Sequence, residues 1–229
     1  SGGAQVLQCN DQPNVFCPAQ MSQVALGLLN LMPAPNFGGG LTYNNYKINL
    51  PSTDNTFQFD TRVDWNISPK NQAYLRVSYY RDRGFYAPPF GDVLDGGGYA
   101  SDGTKVNDGQ NVMLSWTHQF SPNLINEARV GLNHGTPSWV QVNANKDVSG
   151  SVGLGGVPFQ PGFGGLPLMW VGGMSGIGAT GWYESVEHMN VAQLLDNGTK
   201  VAGKHTLKAG VSFQPIRFDF LAPAYPRGV

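Results

Sequence analysis

Residues 57–81, FQFDTRVDWNISPKNQAYLRVSYYR, alternate apolar and polar side chains, break at Ser-Pro-Lys-Asn, and then alternate again. A period of two places successive side chains on opposite faces of a β-strand. The apolar face carries Phe57, Phe59, Thr61, Val63, Trp65 and Ile67 before the break, and Ala73, Leu75, Val77 and Tyr79 after it. The stretch therefore predicts an antiparallel hairpin whose two strands each have one apolar and one polar face.

Two further hairpins follow the same pattern. QNVMLSWTHQF and INEARVGLNH flank a second Ser-Pro turn, and a third pair of strands runs through HMNVAQLLDNGTKVAGKHTLKAGVSFQ. The long segments between the hairpins are rich in Gly and Pro, and a short helix is predicted in SQVALGLLNLM. The predicted order is 1–55 mostly external loop with the short helix, 56–83 hairpin 1, 84–109 long loop, 110–135 hairpin 2, 136–186 long loop, 187–214 hairpin 3 and 215–229 loop.

Alternation alone fits either a soluble β-sandwich or a membrane barrel. The connections decide between them, because they are alternately short and very long, as in outer-membrane barrels. The strands also approach the roughly 9 to 11 residues that cross a bilayer at a tilt. Aromatic residues near the strand ends suit an interfacial girdle: Trp65, Tyr79, Tyr80, Trp116 and Phe120. We therefore expect an all-β fold, an antiparallel meander of about six long amphipathic strands that forms one partial segment of a transmembrane outer-membrane β-barrel.

Composition excludes several classes of protein. The net charge is -1 with 13% charged residues, which gives no electrostatic footprint for nucleic acid. No apolar run reaches the length of a transmembrane helix.

Cys9 and Cys17 close a short polar loop, which suits either a disulfide in an oxidising compartment or two unpaired thiols.

An ordered set of motifs resembles one family. LLNLMPAPN, NNYKINLP, FQFDTRVDWNISPKNQAYLRVSYY, FSPNLINEARVGLNH and DNGTKVAGKHTLKAGVSF occur in this order and cover most of residues 24–214. Together they resemble TonB-dependent outer-membrane receptors of the Oar-like group. The resemblance implies a bacterial outer-membrane location and uptake of a scarce solute, of the carbohydrate or chelate class, driven by the TonB system.

The resemblance also implies partners. They are outer-membrane lipid, the remaining barrel and plug domain of the same protein, TonB through that missing part, and a solute of unknown identity. No plug or TonB-contacting segment is recognisable in the sequence, so we expect a fragment of a larger receptor. The alternatives are a passive porin or adhesion barrel and a soluble secreted carbohydrate-binding β-sandwich.

No catalysis, metal or cofactor is expected. The histidines lack metal-binding spacing, and the Gly-rich loops lack the flanking elements of a phosphate-binding loop. Charges expected to face the lumen, where they pair across strands or else contact the plug or a passing solute, are Asp60, Arg62, Asp64, Arg76, Glu127, Arg129 and Lys208. Loop aromatics that could stack on a ligand, or else pack the loops, are Tyr86, Tyr99, Trp139, Trp170, Trp182 and Tyr183.

Overall fold

The computed structural model describes residues 8–95, 102–181 and 184–228. A short ladder joins β1 (Gln8–Cys9) to β2 (Gln12–Pro13), followed by a 3₁₀ turn at Pro18–Gln20 and helix α1 (Gln23–Leu31). The remaining elements are β3 (Ser52–Ser68), β4 (Asn71–Tyr86), α2 (Gly91–Leu94), β5 (Gly103–Ser121), β6 (Leu124–Val140), α3 (Val148–Ser151), β7 (Ser185–Ala202), β8 (His205–Phe213) and β9 (Ile216–Leu221). Strands β3 to β9 form one antiparallel sheet in which each strand pairs with the next, except that β9 pairs with β7.

Strands β8 and β9 act as one strand interrupted at Pro215. Both pair with β7 in a single register, since Leu194 lies opposite Phe213 and Val191 opposite Ile216. Proline has no backbone N–H to donate, but the Pro215 carbonyl still accepts from the Ala192 amide at 3.1 Å. The sheet is therefore a six-position meander, and the predicted all-β, antiparallel fold is confirmed.

The strands are longer than the sequence pattern predicted. Residues 103–109 and 136–140 were assigned to loops but continue β5 and β6, and residues 216–221 form β9. Smaller extensions occur at the start of β3 and β7 and at the end of β4. The extensions of β5 and β6 carry few apolar side chains, so the alternation that reveals a strand is lost. Strand β9 does alternate, with Ile216, Phe218 and Phe220 set against Arg217 and Asp219, but its position between Pro215 and Pro223 favoured a loop.

One face of the sheet carries a continuous apolar band. A row of directly paired residues crosses all six positions: Val63, Leu75, Leu114, Val130, Leu194 and Phe213. Apart from the half-buried Leu75, these side chains are exposed, from 44% for Val63 to 66% for Phe213. An apolar surface of this extent needs an apolar environment. We call this the outward face and the opposite one the inward face.

Aromatic groups border the apolar band at both ends. Phe57, Phe59 and Tyr79 lie towards the long loops, with ring centroids 5.8–6.2 Å apart. Trp65 and Trp116 lie towards the tight turns. The segment from Phe57 to Ile67 extends about 33 Å along β3, which a strand tilt of ~40° shortens to about 25 Å, the height of the apolar band of outer-membrane barrels.

At the long-loop end, α1, residues 87–95 and residues 141–181 pack together; we call this assembly the loop cap. Its core is formed by Leu28, Leu94, Val148 and Leu166. Helix α1 is the helix predicted within residues 22–32, and the Ser22 hydroxyl caps it by accepting from the Ala25 amide at 3.4 Å. The long loops thus supply the hydrophobic core that the sheet itself lacks.

Strand β3 lies at one edge of the sheet and β8–β9 at the other. Both edge strands are exposed along almost their whole length. None of the described helices is long and apolar enough to cross a membrane.

Candidate functional site

The inward face carries the charges that the sequence predicted for it. Strand register places them opposite the apolar band: Asp60, Arg62, Asp64, Arg76, Glu127, Arg129 and Lys208. This follows from the period of two, since every second residue of a strand shares a face. The inward face can therefore line a polar lumen.

The pairing of these charges differs from the prediction. Arg62 bonds Asp64 at 2.7 Å and Arg129 bonds Glu127 at 2.7 Å, so both ion pairs lie within a strand rather than across strands. Arg62 lies directly opposite Arg76, and a like charge there is an unfavourable partner. The Arg62 guanidinium instead lies 3.9 Å from the centroid of the Tyr74 ring.

Ion pairs across strands do occur on the inward face, but nearer the loops. Lys105 Nζ lies 2.8 Å from Asp82 and 3.9 Å from Asp54. The Tyr86 hydroxyl donates to Asp54 at 2.6 Å. Sequence reasoning missed this cluster because Lys105 lay in a segment assigned to a loop.

Two of the predicted ligand-contacting aromatics meet at the end of the inward face. The rings of Tyr86 and Trp139 stack with centroids 5.5 Å apart and an angle of 24° between planes. Both lie on strands, β4 and β6, which corrects their assignment to loops. Gly103 pairs with Tyr86 on the intervening β5 and has no side chain to separate the rings. The φ of Gly103 is +113°, and a Cβ atom at this position would collide with the Val140 carbonyl, so only glycine fits.

The remaining aromatic candidates lie elsewhere. Trp170 adjoins the β-bridge between Met169 and Ile177 and is 54% exposed. Tyr99, Trp182 and Tyr183 lie outside the described residues. The structure therefore brings together Tyr86 and Trp139 from the predicted set.

A buried ion pair fastens the C-terminal segment to the loop cap. Arg227 bonds Glu184 at 2.7 Å, and both side chains are almost fully buried. Arg227 also donates to the carbonyls of Gly164 at 3.1 Å and Thr180 at 2.9 Å. These additional acceptors satisfy the guanidinium, which a buried charge requires. No local sequence signal joins residues 43 positions apart.

Two buried carboxyl groups face each other at the base of the cap. Burial and the neighbouring Asp95 raise the pKa of Asp102 to about 9. When both groups are ionised, neither Asp95 carboxylate oxygen has a hydrogen-bond partner. A protonated Asp102 carboxyl group can donate a hydrogen bond to Asp95. The indole N–H of Trp139 donates to the Asp102 carbonyl at 3.4 Å, so the pair adjoins the aromatic stack.

The described residues hold no group of three or more His, Cys, Asp or Glu side chains placed to bind a metal. His118 bonds Asn71 at 2.7 Å and His134 bonds Asn190 at 2.8 Å. Cys9 and Cys17 form a disulfide with sulfur atoms 2.03 Å apart. Of the two states open to these cysteines, the structure has the bridged one.

Comparison with known proteins identifies a family over nearly the whole chain. Residues 2–229 match the sequence profile of a family described as an outer membrane beta barrel domain. No curated protein matches the chain, and no solved structure matches it.

Proposed function

Because the chain belongs to the family of outer membrane beta barrel domains and lies in the bacterial outer membrane, we propose that it forms part of a TonB-dependent receptor. The receptor takes up a scarce solute of the carbohydrate or chelate class. In this proposal the chain supplies barrel wall and external loops and catalyses no reaction. The plug domain and the contact with TonB come from other parts of the receptor.

The observation that carries the proposal is the folded loop cap beside a stacked aromatic pair. Long loops lie on the outside of outer-membrane barrels, so the cap faces the medium. Trp139 links the inward face to the cap: it stacks on Tyr86 and donates to the carbonyl of Asp102, whose side chain faces Asp95 of the cap. Aromatic faces bordered by polar groups suit a sugar ring or a planar chelate. Asp54, Asp82 and Lys105 provide the polar border.

The open sheet supports a large barrel. Its two edge strands present unpaired backbone groups, and each such group costs several kcal/mol in lipid. Further strands must therefore cover β3 and β8–β9 before the sheet can span a membrane. A receptor barrel of many strands meets this requirement.

The soluble sandwich and the passive barrel, the two alternatives to a TonB-dependent receptor, are not equally consistent with the structure. A soluble carbohydrate-binding sandwich needs a second sheet facing the apolar band, and the long strands within the described part of the chain form a single sheet. A passive porin or adhesion barrel shares the fold and the location. It differs from a TonB-dependent receptor in needing neither a plug nor energy.

The test is solute uptake by cells that carry or lack the gene. Uptake of labelled oligosaccharides and metal chelates is compared with and without a protonophore. We expect a deletion strain to lose uptake of one solute class, and a protonophore to abolish the same uptake in the parent strain. Uptake that continues after the proton-motive force collapses would assign the protein to the passive barrels.

A second readout uses the intact protein in planar bilayers. A plugged receptor gives little steady conductance, whereas a porin gives stable open channels. Substituting Ser for Trp139 should weaken uptake at low solute concentration, since it removes one face of the aromatic stack. Substituting Ser for Trp116, which faces outward at the turn end, is the matched control and should leave the solute concentration for half-maximal uptake unchanged.

A further inference from the structure

The outward face changes from apolar to basic at the loop end of the sheet. Phe57, Phe59 and Tyr79 close the apolar band there. The next outward residues on β4 are Arg81 and Arg83, which pair with Phe57 and Asn55 of β3. Because long loops mark the external side, both arginines lie at the level of the lipid headgroups of the external leaflet.

These two arginines have unused hydrogen-bonding capacity. Arg83 donates to Asp108 at 2.7 Å through Nη2, yet its side chain is 47% exposed. Arg81 is exposed and lies directly opposite Asp108. Among the described residues, no side chain forms an ion pair with Arg81. Asp108 is ion-paired with Arg83, and the charge of Arg81 is left uncompensated within the described part of the chain, so this part of the outward face keeps a net positive charge.

The arginines and the aromatic rings border one concave surface. A cavity of about 420 Å³ is lined by Asn55, Thr56, Phe57, Tyr79, Arg81 and Arg83. Its apolar part is continuous with the lipid-facing band, and its basic part extends towards the loops. An occupant must therefore be amphiphilic, with an anionic group above and hydrocarbon below.

We propose that this surface, the arginine–aromatic patch, binds a phosphorylated glycolipid of the external leaflet. Guanidinium forks bind phosphate oxygens in a fixed planar geometry, so Arg81 and Arg83 hold the phosphate. Phe57, Phe59 and Tyr79 contact the first part of the acyl chains. Lipid binding here requires only that the sheet lies in the outer membrane with its long loops outside, and it is independent of any transported solute.

The test measures lipid binding by the intact protein purified from outer membranes in detergent. The probes are diphosphorylated lipid A, dephosphorylated lipid A and phosphatidylglycerol, followed by native mass spectrometry. The key variant replaces both Arg81 and Arg83 by Ser. The matched control is Arg76→Ser, since Arg76 is an exposed arginine of the same strand on the inward face.

We expect the double variant to bind diphosphorylated lipid A at least about tenfold more weakly, because charge-assisted hydrogen bonds are lost. Arg76→Ser should bind it normally, and the dephosphorylated lipid should bind weakly to the unsubstituted protein. The single variant Arg81→Gln, which breaks no ion pair within the described residues, keeps the test decisive if the double variant misfolds.

Three results would overturn the proposal. Undiminished lipid A binding by Arg81→Gln and by the double variant would show that the arginines are not used. An equal loss in Arg76→Ser would indicate a general effect of net charge. Equally tight binding of phosphatidylglycerol would show that the patch does not select the glycolipid.

Discussion

At the scale of single residues, the buried Asp95–Asp102 pair makes the loop cap sensitive to pH. The folded chain holds the pKa of Asp102 at about 9, whereas an aspartate in an unfolded chain titrates near 3.9. The folded cap therefore binds more protons than the unfolded cap throughout this window, so its stability falls as pH rises. Glu184 also raises the pKa of Asp102 and is itself ion-paired with Arg227.

The prediction is that ionisation of this pair makes the cap lose stability progressively as the pH rises towards 9. Asp102→Asn should flatten this dependence, because the amide cannot ionise. The measurement is the rate of proteolytic cleavage within residues 141–181, normalised at each pH to cleavage of a disordered substrate. Asp92→Asn, a change on the exposed side of α2, is the control and should retain the pH dependence of the unsubstituted protein.

The buried pair Arg227–Glu184 should behave differently from an exposed one. Glu184→Gln leaves the guanidinium buried without its counter-charge, which costs roughly 3–5 kcal/mol. Arg217–Asp219 is the matched exposed pair, with side chains 78% and 54% exposed, and Asp219→Asn should cost about 0–1 kcal/mol. Chemical denaturation monitored by cap proteolysis measures both changes. Similar costs for the two pairs would contradict the buried position of Arg227.

At the scale of strands, the alternation of side chains predicted the faces of the sheet but not the full length of its strands. The faces of Asp60 and Arg129 follow from counting by two along a strand. The extensions at 103–109 and 136–140 escaped detection because their few apolar residues, Val106, Trp139 and Val140, do not alternate with polar ones. Alternation of apolar and polar residues therefore reveals the part of a strand that lies in lipid.

Side-chain pairing at the candidate site could be predicted only in part. The sequence identified Tyr86 and Trp139 as aromatic candidates, but their stacking depends on the register of β4, β5 and β6. Arg62 pairs with Asp64 of its own strand rather than with a residue across strands. This depends on side-chain rotamers, which the sequence pattern does not determine. Arg227 and Glu184 are brought together by the folding of the cap, so their spacing in the sequence does not predict the ion pair.

Substitutions on the two faces of β5 should have opposite consequences. Leu114→Arg places a charge in the middle of the apolar row, and a lipid-facing arginine at the bilayer midplane costs about 2–4 kcal/mol. Thr117→Arg is the matched change on the inward face, where it lies opposite Glu127. We expect Leu114→Arg to reduce the amount of folded protein in the outer membrane, measured by heat-modifiable gel mobility, while Thr117→Arg assembles normally. Equal assembly of the two variants would argue against a lipid-facing apolar band.

At the scale of the whole molecule, an open sheet is joined to a folded external cap. The sheet has little core of its own, since the apolar residues of one face are reserved for lipid. The cap contains the buried hydrophobic cluster and the buried ion pair. This division assigns membrane spanning to the strands, and in the function that we propose it leaves solute recognition to the cap together with the adjoining inward face.

Spin-label accessibility along β5 in the membrane-embedded protein shows directly whether the apolar band lies in lipid. Single labels are placed at each position from Val106 to Phe120, and collisions with oxygen and with a water-soluble nickel complex are compared. If the apolar band lies in lipid, accessibility should show a period of two between Val112 and Phe120, with oxygen favoured at outward positions and nickel at inward ones. Between Val106 and Gln110 the period should vanish, and both faces should favour nickel. Uniform nickel access at Val112, Leu114 and Trp116 would contradict the central claim that this face of the sheet lies in lipid.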